Sequence, residues 1–444
     1  MKLENLTFKG GVHIPEYKDL TKDITIEKAI DPEIVYISLH QHVGAPCEAI
    51  VSKGDTVKVG QKIGDSKAFL SAPVHASVSG VVKSITKMYT SDGWKSDCVV
   101  IESDGLEELH ESVKPLVNLD NLSKEEIINL IKDAGIVGLG GAGYPMHAKL
   151  VTADDSNIDT AILNGAECEP YITVDHRVML EQPESIIKGL KIIMHCLDLK
   201  TGYIGIEDNK KDAIEMLRSS LKDEENIKIV SLKTKFPQGD SYRMVDAILD
   251  RKVPEGGRCK DVGAIVSNVS TALAVAQLFE LGKPLYERTI TVTGSGIKEP
   301  KNLKVKIGTT IKDIIEQCGG FNGEPGKIIA GGPMTGKAQF SLDTPIVKAT
   351  SAIIVMTPEE AILNEPVPCI KCGECLKVCP IHLQPVLLSA YALKDMFEMT
   401  QEYYVEECIQ CGACSFICPS KRPLTESIKH AQREIKLARK KSKK

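Results

Sequence analysis

Short apolar runs broken by turn residues dominate the first quarter of the chain. Val35-Tyr36-Ile37-Ser38-Leu39 alternates, Lys53-Gly54-Asp55 turns, and Val57-Lys58-Val59-Gly60 and Val78-Ser79-Gly80-Val81-Val82 continue the pattern. Period-two runs at this spacing predict a small antiparallel sandwich or barrel over residues 31–107. The pattern then lengthens. Ser123 with Glu126 three residues on marks a helix start. Strand-like runs at Ile158–Leu163, Tyr203–Ile206 and Ile227–Val230 alternate with helical stretches at 184–197 and 210–221. That alternation predicts an α/β domain with a mostly parallel sheet over residues 108–284. Residues 285–350 return to β-runs around one helix, Ile311 to Cys318, as a small α+β module. Pro358, Pro366 and Pro368 mark a linker into a last unit at 358–425, followed by a tail at 426–444. Residues 1–30, with Gly10-Gly11 and Pro15, form an extended arm. The expected chain is multidomain, mixing α/β and α+β units.

Composition narrows the class. The 444 residues are 42% hydrophobic and 26% charged, the profile of a folded globular chain. A net charge of −5 gives no basic field for nucleic acid. MKLENLTFKGG has no apolar h-region, and no apolar run reaches about 18 residues, so neither a secretory signal nor a membrane helix is expected. Membrane attachment would come through partners. The tail changes the charge picture: residues 429–444 hold eight Lys or Arg against Glu434 alone, leaving −12 on the rest. It is either a solvated helical end or a contact for a partner or an anionic surface. The segment KGDTVKVGQKIGDSKAFLSAPVHASVSGVV resembles the biotinyl/lipoyl barrel-sandwich hybrid domain. Lys67 lies between its halves, but no Met-Lys-Met is present, so the domain is expected to be structural.

Candidate chemistry concentrates at the two ends of the α/β reading. Eight of the 14 cysteines fall in two runs of identical spacing, each closed by proline. These are Cys369-x2-Cys372-x2-Cys375-x3-Cys379-Pro380 and Cys408-x2-Cys411-x2-Cys414-x3-Cys418-Pro419. This is the bacterial ferredoxin spacing for two [4Fe–4S] clusters, in which the fourth cysteine of each run serves the other cube. The expected metal ligands are Cys369, Cys372, Cys375 and Cys418 for one cluster, and Cys408, Cys411, Cys414 and Cys379 for the other. A zinc site needs four ligands and does not explain a duplicated quartet. Cys47, Cys98, Cys196, Cys259 and Cys318 are expected to pack as small hydrophobes. Cys168 stays open because of its neighbours.

Residues 138–143, Gly-Leu-Gly-Gly-Ala-Gly, match G-x-G-x-x-G after apolar Ile136-Val137 and before a helix starting near Pro145. Backbone N–H groups in such a loop suit a phosphate, and Lys149 adds charge on the following helix. After the next strand comes Asn164-Gly165-Ala166-Glu167-Cys168-Glu169-Pro170. It is either an acidic capping turn or a turn whose carboxylates meet the hydroxyls or ring nitrogens of a nucleotide or flavin.

Taken together, GLGGAGYPMHAKL and NGAECEPYITVDHRVMLE closely resemble the RnfC family, a component of the Rnf ion-translocating ferredoxin:NAD oxidoreductases. The flavin domain of that family is in turn similar to the NADH-oxidising flavin subunit of respiratory complex I. FKGGVHIPEYK, QHVGAPCE and the ferredoxin spacing fit the same family in order. The resemblance implies a barrel-sandwich hybrid, a Rossmann-like flavin and NAD domain, a β-grasp SLBB-like module and a two-cluster ferredoxin domain. It implies FMN phosphate on Gly138, Gly140, Gly141, Gly143 and Lys149, with Tyr144 near the nucleotide. Asn164 and Glu167 would touch the flavin, Glu169 the NAD(H), and Asn268 and Thr271 of Ser267-Asn268-Val269-Ser270-Thr271 the flavin again. Phe236-Pro237-Gln238-Gly239-Asp240 takes the place of a nucleotide-contacting loop. The complex I relative has acids where Ala166 and, nearby, Ser241 stand here. The implied function is a peripheral oxidoreductase subunit on the cytoplasmic face of the cell membrane. It would pass electrons between NAD(H) and ferredoxin through FMN and both clusters, while membrane subunits and a ferredoxin-accepting subunit supply ion translocation. A cobalamin reductase with flavin, SLBB-like and two-cluster parts is the nearest rival; a relay scaffold with no nucleotide chemistry is the other.

Overall fold

The computed structural model describes residues 3–116, 119–154, 157–221 and 224–442. The first unit is the expected sandwich. Strands Thr56–Val57, Gly80–Tyr89, Lys95–Ser103 and Ile34–Ser38 form one antiparallel sheet, in that order. Glu48–Ala49, Lys62–Asp65 and Val74–His75 form a second, smaller one. Alternate residues of both sheets face inward, so Val35, Ile37, Val57, Ile63, Val74, Val99 and Ile101 fill one core.

The α/β unit carries a four-stranded, all-parallel sheet in the order Ile227–Leu232, Thr201–Glu207, Thr160–Gly165, Ala264–Asn268. Its strands are apolar on both faces because helices cover both sides. Helix Val269–Leu281 is buried along almost its whole length against the sheet and helix Pro183–Cys196. The two helices meet at Gly189, where a Cβ would lie 1.9 Å from the Ala272 carbonyl oxygen. Only a residue without a side chain permits that approach.

The third unit is a six-stranded sheet around helix Ile311–Gln317. Its edge strand, Ile26–Lys28, comes from the N-terminal arm and runs parallel to Lys301–Lys306. Strand Ala352–Met356 lies in the middle of the sheet beside Glu287–Thr293, so this unit extends past residue 350. In the last unit the short helices Glu374–Val378 and Ala413–Ile417 pack together. Helix Leu424–Ser442 lies against Pro385–Ala392 and buries Ile428, Ala431 and Ile435. The first half of the basic tail is therefore part of the ferredoxin-like core; from Lys436 onward the helix is exposed. Lys443 and Lys444 lie outside the described residues. Among the described residues no helix is long and apolar enough to cross a membrane.

Candidate flavin cleft and iron–sulfur centres

Strands Thr160–Gly165 and Ala264–Asn268 are neighbours in register, which sets Asn164 beside Asn268 at their carboxyl ends. Ligands of open parallel sheets bind at this end. The glycine loop lies over it. The Gly138 N–H donates to Tyr144 O at 2.9 Å, closing the loop's base. The Leu139 N–H donates to Thr271 Oγ1 at 2.9 Å, and the buried Arg288 donates to Leu139 O at 2.6 Å. Gly140 rests on Asn268: a Cβ there would meet the Asn268 Nδ2 at 2.7 Å. Gly143 adopts a φ of 71° against Gln41 of the sandwich unit. Gly140, Gly141 and Ala142 are exposed at the crest, and a Cβ on Gly141 would meet nothing within 4 Å. The loop's backbone is thus held from below and open above.

Asn268 caps helix Val269–Leu281 by accepting from Ser270 N, and its Nδ2 donates to Asp175 at 2.7 Å. Asp175 also accepts from Ser270 Oγ at 2.6 Å. Asn164 Nδ2 donates to Gly239 O at 2.7 Å, and the Gly239 N–H donates to Cys168 Sγ at 3.3 Å. This ties the acidic turn to the loop at 236–240.

Tyr144 and Lys149 line a cavity of about 220 Å³ with Ser241, Tyr242, Arg258 and Lys260. Lys149 donates to Val266 O at 2.7 Å, and burial pushes its ammonium below the usual lysine range. Among the described residues no carboxylate pairs with it. A desolvated cation with no acid partner, on the helix that follows an open glycine crest, fits the phosphate end of FMN.

The acidic turn is held by protein donors. Glu167 accepts from the N–H groups of Asp175 (2.6 Å) and His176 (3.3 Å) and faces Lys18 at 3.8 Å, with its side chain 3% exposed. Burial pushes its carboxyl up to about 7 against the opposing pull of Lys18. Lys18, from the arm, donates to the carbonyls of Glu167, Glu169 and Ile172. Glu169 accepts from Met334 N and Thr335 Oγ1 of the third unit. Both carboxylates therefore face protein donors. Lys18, Asp175 and Arg288 hold the site yet carry no motif of their own; Asp175 lies inside the NGAECEPYITVDHRVMLE segment and was the one with a local signal.

The cysteine runs fold as two matching halves. Lys371 and Gln410, at φ of 57° and 56°, donate their N–H groups to Cys369 Sγ and Cys408 Sγ, each at 3.4 Å. Gly373 and Gly412, also at positive φ, start the paired short helices. The thiols of Cys379, Cys408, Cys411 and Cys414 line one small cavity and are electrostatic neighbours. Cys375 has Cys414, Cys418 and Cys372 as neighbours. The fold therefore crosses the fourth cysteines between halves. Among the described residues no three such side chains close around a single ion. The all-thiol donor sets fit [4Fe–4S] clusters. Cys47, Cys98, Cys196 and Cys318 are buried, while Cys259 is half-buried beside Lys149.

Four family models match successive stretches of the chain. They are the RnfC barrel sandwich hybrid domain (residues 6–106), the Nuo51 FMN-binding domain (131–277), the SLBB domain (289–338) and the 4Fe-4S dicluster domain (361–419). Fold and site together define an oxidoreductase that carries FMN and two [4Fe–4S] clusters on one chain. Over 435 residues the chain is 46% identical to the RnfC component of the Na(+)-translocating ferredoxin:NAD(+) oxidoreductase complex of Acetobacterium woodii, covering 98% of each. It is 45% identical to the same component of the proton-translocating complex of Clostridium ljungdahlii, covering 90% of this chain and 87% of that one. Its counterpart in the ion-translocating oxidoreductase complex of Rhodobacter capsulatus is 37% identical over 87% of this chain and 75% of its own. The chain belongs to the RnfC family of ion-translocating oxidoreductase components.

Proposed function

We propose that this chain exchanges electrons between NAD(H) and low-potential ferredoxin, reached through partner subunits, within a membrane-bound complex. The observation that carries the reading is the joining of an FMN-domain cleft and two four-thiol sets in one chain. FMN, when bound, supplies the exchange between hydride transfer and single-electron transfer. The chain's own residues position and exclude. The crest amides at Gly140 and Gly141 and the Lys149 ammonium hold the phosphate, and Gly138 and Gly143 shape the loop. Tyr144, Ser241 and Tyr242 wall the nucleotide space. Asn164 and Asn268 set the floor, and Thr271 pins the loop to it. Glu167 and Glu169 act through the turn they hold, since protein donors already take their carboxylates.

The relatives' names divide between Na(+) and proton coupling, so the ion is a property of the partners. The chain is held at the cytoplasmic face by those partners, and the exposed basic end of helix Leu424–Ser442 is our candidate contact. Deleting the whole tail would remove Ala431 and Ile435 from the core, so charge reversal at Lys436, Lys440 and Lys441 is the cleaner test. It should release the chain from membranes; retention would dismiss the tail as the contact. The function is tested by anaerobic reconstitution with FMN, iron and sulfide followed by NADH. Bleaching of the flavin absorbance is expected. A chain that holds FMN and clusters but shows no bleaching would refute NAD(H) as its substrate.

A further inference from the structure

We propose that Arg243 raises the reduction potential of the Cys379/Cys408/Cys411/Cys414 centre, as a buried cation supplied to the ferredoxin-like unit by the flavin unit. The inference rests on the two clusters and not on the substrates proposed above.

The two cysteine halves are alike in local geometry but not in the charges around them. Near the first run, Lys377 faces Cys372, yet it is exposed and paired with Glu374 at 2.6 Å. Water and salt screen such a charge. The Cys379/Cys408/Cys411/Cys414 centre receives a cation from far away in the sequence. Arg243 lies on helix Ser241–Leu249, which is capped by Asp240 of the 236–240 loop. Its side chain is only 12% exposed. Its Nη1 donates to Pro380 O, on the residue that follows the ligand Cys379. Burial pushes the Cys379 thiol up, and the Arg243 guanidinium is among the groups that pull against it.

Asp240 does not cancel this charge. Its Oδ1 accepts from the Tyr242 and Arg243 N–H groups, both at 3.1 Å. It stands 3.7 Å from Arg243 Nε, outside hydrogen-bond reach, and Nε makes no hydrogen bond of its own. The carboxylate therefore lies toward the stem of the side chain, while the far end of the guanidinium reaches the cysteine run. Four thiolates already make a [4Fe–4S] centre net negative, and reduction adds one electron more. A nearby cation stabilises the reduced form over the oxidised one. A buried cation does so through a medium of low dielectric, where salt screens it little. One electron passes from the reductant to the centre; no bond forms or breaks, and no proton moves.

The test is a dithionite redox titration of the reconstituted full chain, with mediators and with EPR of the clusters as the readout. Arg243→Gln should lower the midpoint of one cluster and leave the other in place. The expected shift is about tenfold in the ratio of reduced to oxidised centre at a fixed potential, or about 59 mV for a one-electron couple. Arg243→Lys keeps the charge and should restore most of that shift. Cys369→Ala removes a ligand of the exposed centre, and Arg243→Gln in that background should still move the remaining intact cluster. Midpoints that stay put, midpoints that move together, or a lysine variant that behaves like the glutamine one would overturn the proposal. If Arg243→Gln does not fold, Asp240→Asn decides. Asparagine caps a helix as well as aspartate does, so the variant removes only the opposing charge and should raise the same midpoint; a fall or no change would overturn the proposal. NADH plays no part in the titration, so failure of the proposed function would leave its outcome untouched.

Discussion

The cysteine runs and the flavin turn carry the same kind of responsibility, yet they are built in opposite ways. Each cysteine half makes its own scaffold within a dozen residues: the positive-φ residue, the N–H to sulfur bond and the glycine-started helix recur in both. The flavin turn is assembled from afar. Lys18 reaches it across 149 positions, Met334 across 165, and the glycine loop reaches Thr271 across 132. A locally built site is specified by spacing. A remotely built one is specified by what the fold brings to it, and is correspondingly sensitive to changes far away in the chain.

The largest effect that sharpens this contrast should come from Lys18. Lys18→Met leaves Glu167 as a buried carboxylate without its cation, which costs about 3–5 kcal/mol and should strip FMN from the chain. Chemical denaturation and flavin content measure it; an effect no larger than that of a surface lysine would break the contrast. Lys348 is next. It is fully buried, donates to Pro73 O at 2.6 Å and Gly135 O at 2.7 Å, and so anchors the segment leading into the glycine loop. Burial pushes its ammonium down to about 7. The unfolded chain holds that proton up to about pH 10.4, so between these values unfolding binds protons and stability rises with pH. The gain is complete above the upper value and is lost as pH falls through about 7. Lys348→Met should cost about 1–3 kcal/mol through the orphaned carbonyls and flatten that rise in a pH series of melts.

Two glycine substitutions divide holding the loop from binding with it. Gly140→Ala pushes on Asn268 and should cost about 1–3 kcal/mol of stability, seen as a lower melting temperature together with lost flavin. Gly141→Ala meets no protein atom. It should leave the melting temperature alone and weaken FMN about tenfold, by titration; unchanged affinity would mean that the crest is only a turn. Cys168→Ser should matter least. The hydroxyl still accepts from Gly239, so a change below about 1 kcal/mol is expected in the same melts.

What the sequence made legible follows the same division. The order of units, the sandwich, the parallel sheet and the two matching cysteine runs could be read from periodicity and spacing, because each is encoded by residues close together. The arm's part in the third sheet was not, since Ile26-Glu27-Lys28 is too short to announce a strand and gains its ladder only from Lys301–Lys306. Nor did the tail's charges reveal that Ile428, Ala431 and Ile435 recur on one face and belong to a core. The glycine loop and Asn268 carry a signal in the sequence, whereas the partners of Glu167 and Glu169 carry none. An acidic pair in a turn looks the same whether it awaits a nucleotide or is already met by Lys18, Met334 and Thr335.

The central claim is that one chain joins two-electron nicotinamide chemistry to single-electron centres. Freeze-quench EPR of the reduced, reconstituted chain tests it most directly. On mixing with NAD+, the cluster signals should disappear as NADH absorbance grows, one NADH for every two cluster electrons. Clusters that stay reduced while NAD+ is present and FMN is bound would contradict it.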